Sequence, residues 1–296
     1  MEQEINEGLE ELFEQIERSL PRRNAQVRKA VDRARLSISD ILAKYTDSNG
    51  TIPRSKVNAV LRDLAAVEGE IHRNLRNEMA VVVEDVGEET VTELSELILA
   101  AIGVAALIKV AGLPKDFANL SVGAAESVFG ALTGKTIREF VEAMVSSTFN
   151  RRGSDQKRLN DRLRRIARVL RKEIEVTLRE SIRNGEGTTE ILRKVERKFS
   201  DLDWQIDTLV ETESLYTMRQ SVARFAEESG IVAALKIVDF PHGDIREHMR
   251  HKCYIYANSD EHGLGKGVYP IGTRKIRNPH PRCRSVLLFV LKDEFK

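Results

Sequence analysis

Cysteine, proline and aromatic residues are scarce in this sequence. It has two cysteines, Cys253 and Cys283, seven prolines and one tryptophan among 296 residues. Two cysteines are too few for the disulfide framework of a small secreted domain. Residues 1–20 are acidic and amphipathic, whereas a signal peptide would be basic and then apolar. We therefore expect synthesis in a reducing cytoplasm.

Long apolar runs are also missing. The longest one, Leu97–Ile108, has 12 residues, and a membrane-spanning helix needs about 20. We interpret this run as a buried core helix and predict no stable membrane insertion. Glycine and alanine are frequent across residues 87–134. That composition leaves open whether the stretch is membrane-active or forms an interface buried in an assembly.

Helix-forming residues dominate the first two thirds of the chain. Leu, Glu, Arg and Ala are abundant there, and apolar residues recur every three or four positions, as in Ile5, Leu9 and Ile16. Proline does not continue a helix, so the first helix is predicted to end at Pro21. A later helix is predicted over Asp203–Ser229, which Gly230 would stop.

Extended patterns appear only after Gly230. Residues 234–240 and 285–291 are predicted strands, and residues 254–256 are a candidate third strand. The predicted fold class is therefore mainly α: an extended multi-helix N-terminal region followed by a small α+β domain with a short antiparallel sheet. We divide the chain into a helical region with a Gly/Ala-rich core segment (1–150), a basic helical connector (151–201) and the α+β domain (202–296).

Charge is strongly segregated along the chain. The net charge is +1 overall, but −7 over residues 1–150, +7 over 151–201 and +1 over 202–296. A basic segment can bind nucleic acid or the acidic surface of a protein, such as another copy of this chain, and it can also be a solvated helix face. The candidate contact residues are Arg158, Arg162, Arg164, Arg165, Arg168, Arg171 and Lys172.

Several common enzyme signatures are absent from the sequence. It has no phosphate-binding Gly-x-x-x-x-Gly-Lys-Ser/Thr loop, no dinucleotide-binding Gly-x-Gly-x-x-Gly after a strand, no Gly-x-Ser-x-Gly and no His-Glu-x-x-His. The glycine-rich residues 263–267 lack a following amphipathic helix, so we predict a flexible hairpin or loop there. These absences favour a protein that is not an enzyme.

Histidine and cysteine are concentrated in the last third. Five of the six histidines lie there, close to both cysteines. Thiolate and imidazole are zinc ligands, so Cys253, His280 and Cys283 could bind a structural zinc ion with His248 or His251 as the fourth ligand. Two other interpretations stay open: a pair of buried cysteines without metal, and a metal-dependent nuclease that uses nearby carboxylates.

Two glutamates on the predicted helix after residue 202 are also candidates. Glu211 and Glu213 are two positions apart, so they face different ways, which argues against a paired acid–base site. We expect a structural role instead, with Glu213 in a partly buried ion pair with Arg246 or Arg284.

Residues 202–295 contain a series of motifs in a characteristic order. In chain order these motif residues are Thr212, Glu213, Asp244, Arg246, His248, His280, Cys283 and Arg284. The order and layout resemble the phage Mu F-like minor head protein domain, the head-morphogenesis family encoded beside the portal protein in many tailed phages. Glu211 and Ser285 stand where that family usually has arginine and cysteine.

The resemblance implies a phage minor head protein. Such a protein is synthesised in the host cytoplasm, becomes part of the virion inside the capsid, and acts in head morphogenesis or genome delivery. The partners implied are the portal protein and the major capsid or scaffolding protein, with packaged DNA and further copies of the chain as additional candidates. The motif residues would stabilise the domain rather than catalyse a reaction. The alternative is a metal-dependent nuclease or toxin-like effector that uses the His/Cys-rich region.

Overall fold

The computed structural model describes residues 1–102, 124–152, 157–240 and 245–295. Helices dominate these residues and a small antiparallel sheet follows them, which confirms the predicted fold class. In chain order the elements are α1 (Glu2–Tyr45), a 3-10 helix (Arg54–Lys56), α2 (Val57–Ile102), α3 (Ala124–Thr133), α4 (Ile137–Asn150), α5 (Leu159–Asn184), α6 (Thr188–Ser200), α7 (Asp203–Glu228), β1 (Val232–Val238), α8 (Ile245–His248), α9 (Lys252–Asn258), β2 (Val268–Pro270), β3 (Val286–Leu291) and a final 3-10 helix (Asp293–Phe295).

Helix α1 continues through Pro21, so the prediction that the first helix ends there is wrong. Proline lacks the N–H group that would bond to the carbonyl of Glu17. The helical spacing of apolar residues nevertheless continues on both sides, and Leu20, Val27 and Ala30 are all buried. Burial of this stripe outweighs one missing hydrogen bond, because a fully buried Leu or Val contributes about 1.5–3 kcal/mol.

Contacts divide the chain into two compact units. Unit 1 contains Met1–Leu20, Val82–Thr148 and Glu211–Lys296, and unit 2 contains Pro21–Val81 and Phe149–Val210. Because α1, α2, α4 and α7 each contribute residues to both units, neither unit is one continuous stretch of chain. This division follows contacts, and it differs from the three segments predicted above, which follow charge and composition.

Unit 2 is built from helices with one buried stripe each. Helix α5 buries Leu163 and Leu170, and helix α6 buries Val195 and Phe199. Gly185 ends α5 in the left-handed conformation at φ +70°, which glycine adopts without steric penalty. The charged residues of both helices are consequently left on the outer faces.

The sheet of unit 1 has the strand order β2-β1-β3, with both pairs antiparallel. Leu235 in the central strand lies opposite Tyr269 on one side and Phe289 on the other. All three side chains are buried, and the Phe289 ring stacks on Phe225 of α7 with 6.1 Å between ring centroids. Helix α7 and the sheet therefore share one core, to which buried residues of α1, α2, α3 and α4 also belong.

The candidate strand at residues 254–256 is wrong, because these residues belong to helix α9. Cys253 is buried, and Tyr256 and Ala257 pack against the same core at the three- and four-residue spacing of a helix. That packing overrides the strand preference of the aromatic and β-branched side chains. The third strand is instead β2, which contains the buried Tyr269.

The outer edge of β3 is closed by side chains of α1. The Asn6 amide donates to the Phe289 carbonyl at 3.0 Å, and the Phe289 N–H donates to the Asn6 side-chain oxygen at 2.8 Å. The Leu291 N–H donates to a carboxylate oxygen of Glu2 at 2.8 Å. These contacts satisfy backbone groups that an exposed edge strand would offer to another chain.

None of the helices in the described residues combines the length and the apolar composition needed to cross a bilayer. Within the Gly/Ala-rich stretch, residues 87–102 belong to α2 and residues 124–133 to α3. The second half of the predicted core helix over residues 97–108 lies outside the described residues. Its role as an interface or a membrane-active segment stays a prediction.

Candidate functional site

The histidines and cysteines of the last third converge within unit 1. His248 ends α8, Cys253 lies in the first turn of α9, and His280 and Cys283 lie in the loop before β3. The possible ligand atoms of Cys253, His280 and Cys283 all lie within 4.8 Å of one another. The same holds for His248, His251 and Cys253, so Cys253 belongs to both triads.

Hydrogen bonds fix the orientation of two of these imidazoles. His280 Nδ1 lies 2.8 Å from the Pro281 carbonyl oxygen, which can only accept, so Nδ1 carries the hydrogen. His280 Nε2 then faces Cys253 Sγ at 3.0 Å. His248 Nε2 lies 2.8 Å from a carboxylate oxygen of Asp239, just after β1. Each ring therefore has one nitrogen engaged by an oxygen acceptor.

The two cysteines are buried free thiols, and they titrate as a pair. The hydrogen bond to Cys283, together with burial, raises the pKa of Cys253 far above its usual value. Burial alone would raise the pKa of Cys283 as well, but the hydrogen bond from Cys253 and the positive charge of Arg219 lower it well below its usual value. The pKa values of the two thiols are therefore shifted in opposite directions.

The pKa of His280 is shifted by a cysteine of the same pair. Burial lowers the pKa of His280, but hydrogen bonding to Cys283 and the negative charge of Cys283 more than compensate and raise it above the usual value. Cysteine sulfur and imidazole nitrogen atoms this close together are the donors that a soft or borderline metal ion such as zinc prefers.

Arg219 of α7 holds the loop that carries His280 and Cys283. Its side chain is 1% exposed, its Nε donates to the Arg277 carbonyl at 2.9 Å, and its Nη1 donates to the carbonyls of Cys283 and Ser285 at 2.7 and 3.1 Å. Sequence reasoning missed this residue. The available signal was a charged residue one position after Met218, on the apolar face of the predicted helix.

Thr212 and Glu211 hold the same loop. They are the first residues of α7 that belong to unit 1. The Arg282 N–H donates to the Thr212 hydroxyl oxygen at 3.2 Å, and the Arg282 guanidinium pairs with the Glu211 carboxylate. Arg282 adopts φ +53°, a left-handed conformation that is rare for a residue with a side chain. These contacts hold the backbone of the turn between His280 and Cys283.

The remaining motif residues do not all meet at this cluster. Glu213 is fully buried, whereas Arg246 is exposed on α8. Arg284 forms an ion pair with Glu17 at 2.9 Å, and the predicted pair of Glu213 with Arg246 or Arg284 stays a prediction. The pairing with Glu17 is possible because α1 packs into unit 1, which sequence spacing could not reveal. Asp244 lies outside the described residues.

The candidate nucleic-acid residues lie along α5 in unit 2, in different environments. Arg164, Arg165 and Arg168 are exposed, as are Arg158 and Lys172. Arg162 is half-buried, and Arg171 is engaged by the carboxylates of Glu68 and Glu175 at 2.8 and 2.6 Å. Arg168 pairs with Glu68 at 3.7 Å but stays 66% exposed, and with the exposed Arg164 and Arg165 it forms the strongest candidate face for a phosphate backbone.

A groove of about 710 Å³ lies between α5 and α6 in unit 2. Four basic residues contribute to its lining, but acidic residues accompany them: Lys194 pairs with Glu186 at 2.6 Å, and Lys198 lies 4.0 Å from Glu173. The compensated charge makes this groove a weak candidate for an anionic ligand.

Comparison of the chain with protein-family models, curated proteins and solved structures gave no match.

Proposed function

We propose that this protein is a phage minor head protein that binds the portal and the inner capsid wall and acts in head morphogenesis. The observation that supports the proposal best is the loop before β3. Thr212, His280 and Cys283, which carry the resemblance, are up to 71 positions apart and yet all contact or belong to this loop. These three motif residues thus belong to one packed substructure.

The chemistry of the motif residues favours a structural role over catalysis. His248, Cys253 and Cys283 are each about 1% exposed, and a residue that attacks or protonates a substrate must be able to reach it. Arg219 and Thr212 use their polar atoms on backbone groups of the same loop. An assembly protein needs this kind of rigid support, and a nuclease would need carboxylates around an accessible metal.

The portal interaction is tested by co-expressing the full chain with the portal protein of the same phage. We expect the two proteins to co-elute from a size-exclusion column at a fixed ratio, and no DNA cleavage in the same fractions. Separate elution over a range of salt concentrations would contradict the proposal. Cleavage that needs a metal ion and elutes with the free chain would favour the alternative, a metal-dependent nuclease or toxin-like effector.

Contact with packaged DNA is a second prediction, carried by the exposed face of α5. We expect the full chain to bind duplex DNA with an affinity that falls as salt rises, by about 0.9 in logarithmic slope for each phosphate neutralised. Replacing Arg164, Arg165 and Arg168 together with glutamine should then reduce that slope by about 2–3, measured by fluorescence anisotropy. The stripe of buried residues on α5 is unchanged, so the fold should persist.

The matched control is Arg138→Gln, which removes an exposed arginine of α4, in unit 1, that pairs only with its neighbour Glu142 in the described contacts. This variant should keep the slope of the unmodified chain. An unchanged slope in the triple variant would remove α5 from the DNA-binding surface.

A further inference from the structure

We infer that His248, Cys253, His280 and Cys283 form a structural zinc site that fixes the loop before β3 to helices α8 and α9. The site does not depend on the head-assembly proposal, because its argument uses only the donor atoms, their surroundings and their burial. No metal role follows from the fold class alone.

Two thiols and two imidazoles are a standard tetrahedral zinc set, with zinc–sulfur bonds of about 2.3 Å and zinc–nitrogen bonds of about 2.0–2.1 Å. Donor atoms on such a tetrahedron lie roughly 3.3–3.8 Å apart. Cys253 Sγ and His280 Nε2 are 3.0 Å apart, and the atoms of the Cys253, His280 and Cys283 triad lie within 4.8 Å. The possible ligand atoms of His248, His251 and Cys253 likewise lie within 4.8 Å of one another, so Cys253 links His248 to this triad.

Each of the two imidazoles has a hydrogen-bond acceptor beside one of its ring nitrogens. Histidines that bind zinc usually donate their other ring N–H to a carboxylate or a carbonyl, which fixes the tautomer and strengthens the ligand. His280 does this with the Pro281 carbonyl, and its Nε2 faces Cys253. His248 has the equivalent partner in Asp239, so it would bind the metal through Nδ1. Both rings are therefore already held in the tautomer that zinc needs.

The burial of the ligand side chains distinguishes a structural zinc site from a catalytic one. Structural zinc sites are closed by four protein ligands, whereas catalytic sites keep one position open for water or substrate. His248, Cys253 and Cys283 are each about 1% exposed. His251 covers the cluster further, with its ring 4.7 Å from that of His280 and 5.5 Å from that of His248. His280 is half-buried, so three of the four proposed ligands are closed off from solvent.

His248 is the better fourth ligand of the two neighbouring histidines. It is buried and has a carboxylate on its second nitrogen, whereas His251 is half-buried and supplies the backbone at the start of α9. With His248 as ligand, zinc joins three separate chain segments: the end of α8, the first turn of α9 and the loop before β3. Because this arrangement forms only in the folded chain, zinc binding adds to the free energy of unfolding.

The experiment measures zinc in the full chain after size-exclusion chromatography, by plasma mass spectrometry. We expect about one zinc ion per chain. The zinc is then removed with a chelator and replaced by Co²⁺, which absorbs strongly in the visible region when it is tetrahedral and shows a thiolate charge-transfer band. A chain with no bound zinc and no such Co²⁺ spectrum would overturn the inference without the need for any variant.

Variants assign the ligands. Cys253→Ser, Cys283→Ser, His280→Asn and His248→Asn should each lose stoichiometric zinc, and His262→Asn, at an exposed position of unit 1, should keep it. Asp239→Asn should still bind one zinc, with an affinity about 10–100-fold lower, as measured by competition with a chromophoric chelator. Because Asp239 is not a ligand, a merely structural role for it would leave the affinity unchanged.

Three outcomes would contradict the assignment. Zinc that stays at full stoichiometry in Cys253→Ser and Cys283→Ser would be bound elsewhere. Loss of zinc in His251→Asn together with retention of zinc in His248→Asn would make His251 the fourth ligand, which contradicts our assignment. An affinity for zinc equal in Asp239→Asn and in the unmodified chain would remove the carboxylate from the site.

Discussion

Replacing Arg219 with methionine is expected to lower the free energy of unfolding by about 3–5 kcal/mol. Arg219 donates to the carbonyls of Arg277, Cys283 and Ser285, all inside the protein. Methionine fills much of the same volume but donates nothing, so three buried acceptors lose a partner. Each such loss costs about 1–3 kcal/mol, less whatever relaxation of the loop recovers. The measurement is urea unfolding of the full chain with zinc present in excess.

The control for this prediction is Arg224→Met on the same helix. Arg224 is 21% exposed, pairs with Glu228 four positions later, and lies over the Phe140 ring. Its loss removes a partly exposed ion pair, so we expect a change of about 1 kcal/mol or less. Equal destabilisation by the two substitutions would mean that Arg219 contributes through charge or bulk, and not through its carbonyl contacts.

Gly267→Ala is expected to be the second most damaging single substitution. Gly267 lies between β1 and α9, where its carbonyl accepts from the Ile237 N–H and its own N–H donates to the Ser259 carbonyl, both at 2.9 Å. A Cβ atom at this position would lie 2.8 Å from the Ile237 carbonyl oxygen and 2.9 Å from that of Ala257. Both are backbone atoms, so the strand or the helix must shift.

The backbone conformation adds to this clash. Gly267 has φ +74°, where a residue with a side chain is strained by about 1–2 kcal/mol. Together the two effects should lower the free energy of unfolding by about 2–4 kcal/mol. Thermal and urea unfolding of the full chain would measure it.

Gly263→Ala separates strain from clash. Gly263 has φ +67°, and among the described residues other than its chain neighbours no heavy atom lies within 4 Å of its added Cβ. Only the conformational penalty applies, so we expect the free energy of unfolding to fall by about 1 kcal/mol. If both variants were equally destabilised, the close approach of β1, α9 and Gly267 would not be the cause.

Periodicity predicted the helices well because each buries one stripe of apolar residues. The buried residues Leu163, Leu170 and Leu178 of α5 follow that spacing, and Gly230 ends α7 as expected. Strand β3 was predicted one residue early and β1 two residues late, since both are short apolar runs with little else to mark their ends. Residue spacing fails to predict an element where packing against another segment determines its structure.

Two elements illustrate such a failure. Pro21 remains helical because residues on both sides are buried, which sequence cannot show. The residues around Tyr254 have strand-like side chains, but Cys253 and Tyr256 face the core at helical spacing. The missed strand β2 is only three residues long and ends at Pro270. Three residues are too few for an alternation of apolar and polar side chains to indicate a strand.

The candidate metal cluster was predictable in residue type but not in arrangement. Cys253, His280 and Cys283 follow from the chemistry of thiols and imidazoles, and the structure brings their ligand atoms together. The contributions of Arg219 and Asp239 depend on which carbonyl and which ring nitrogen they face. These contacts form only in the folded loop, so residue spacing along the chain cannot predict them.

The contact between Asn6 and Phe289 joins residues 283 positions apart. A ribosome adds about 5–20 residues per second, so roughly 15–60 s separate the synthesis of the two. During that interval the early part of α1 has no strand β3 to cover, and Ile5, Leu9 and Phe13, all buried in the finished core of unit 1, lack part of that core. Unit 1 can therefore close only after nearly the whole chain has been translated, and its nascent form is the one that most needs protection from aggregation.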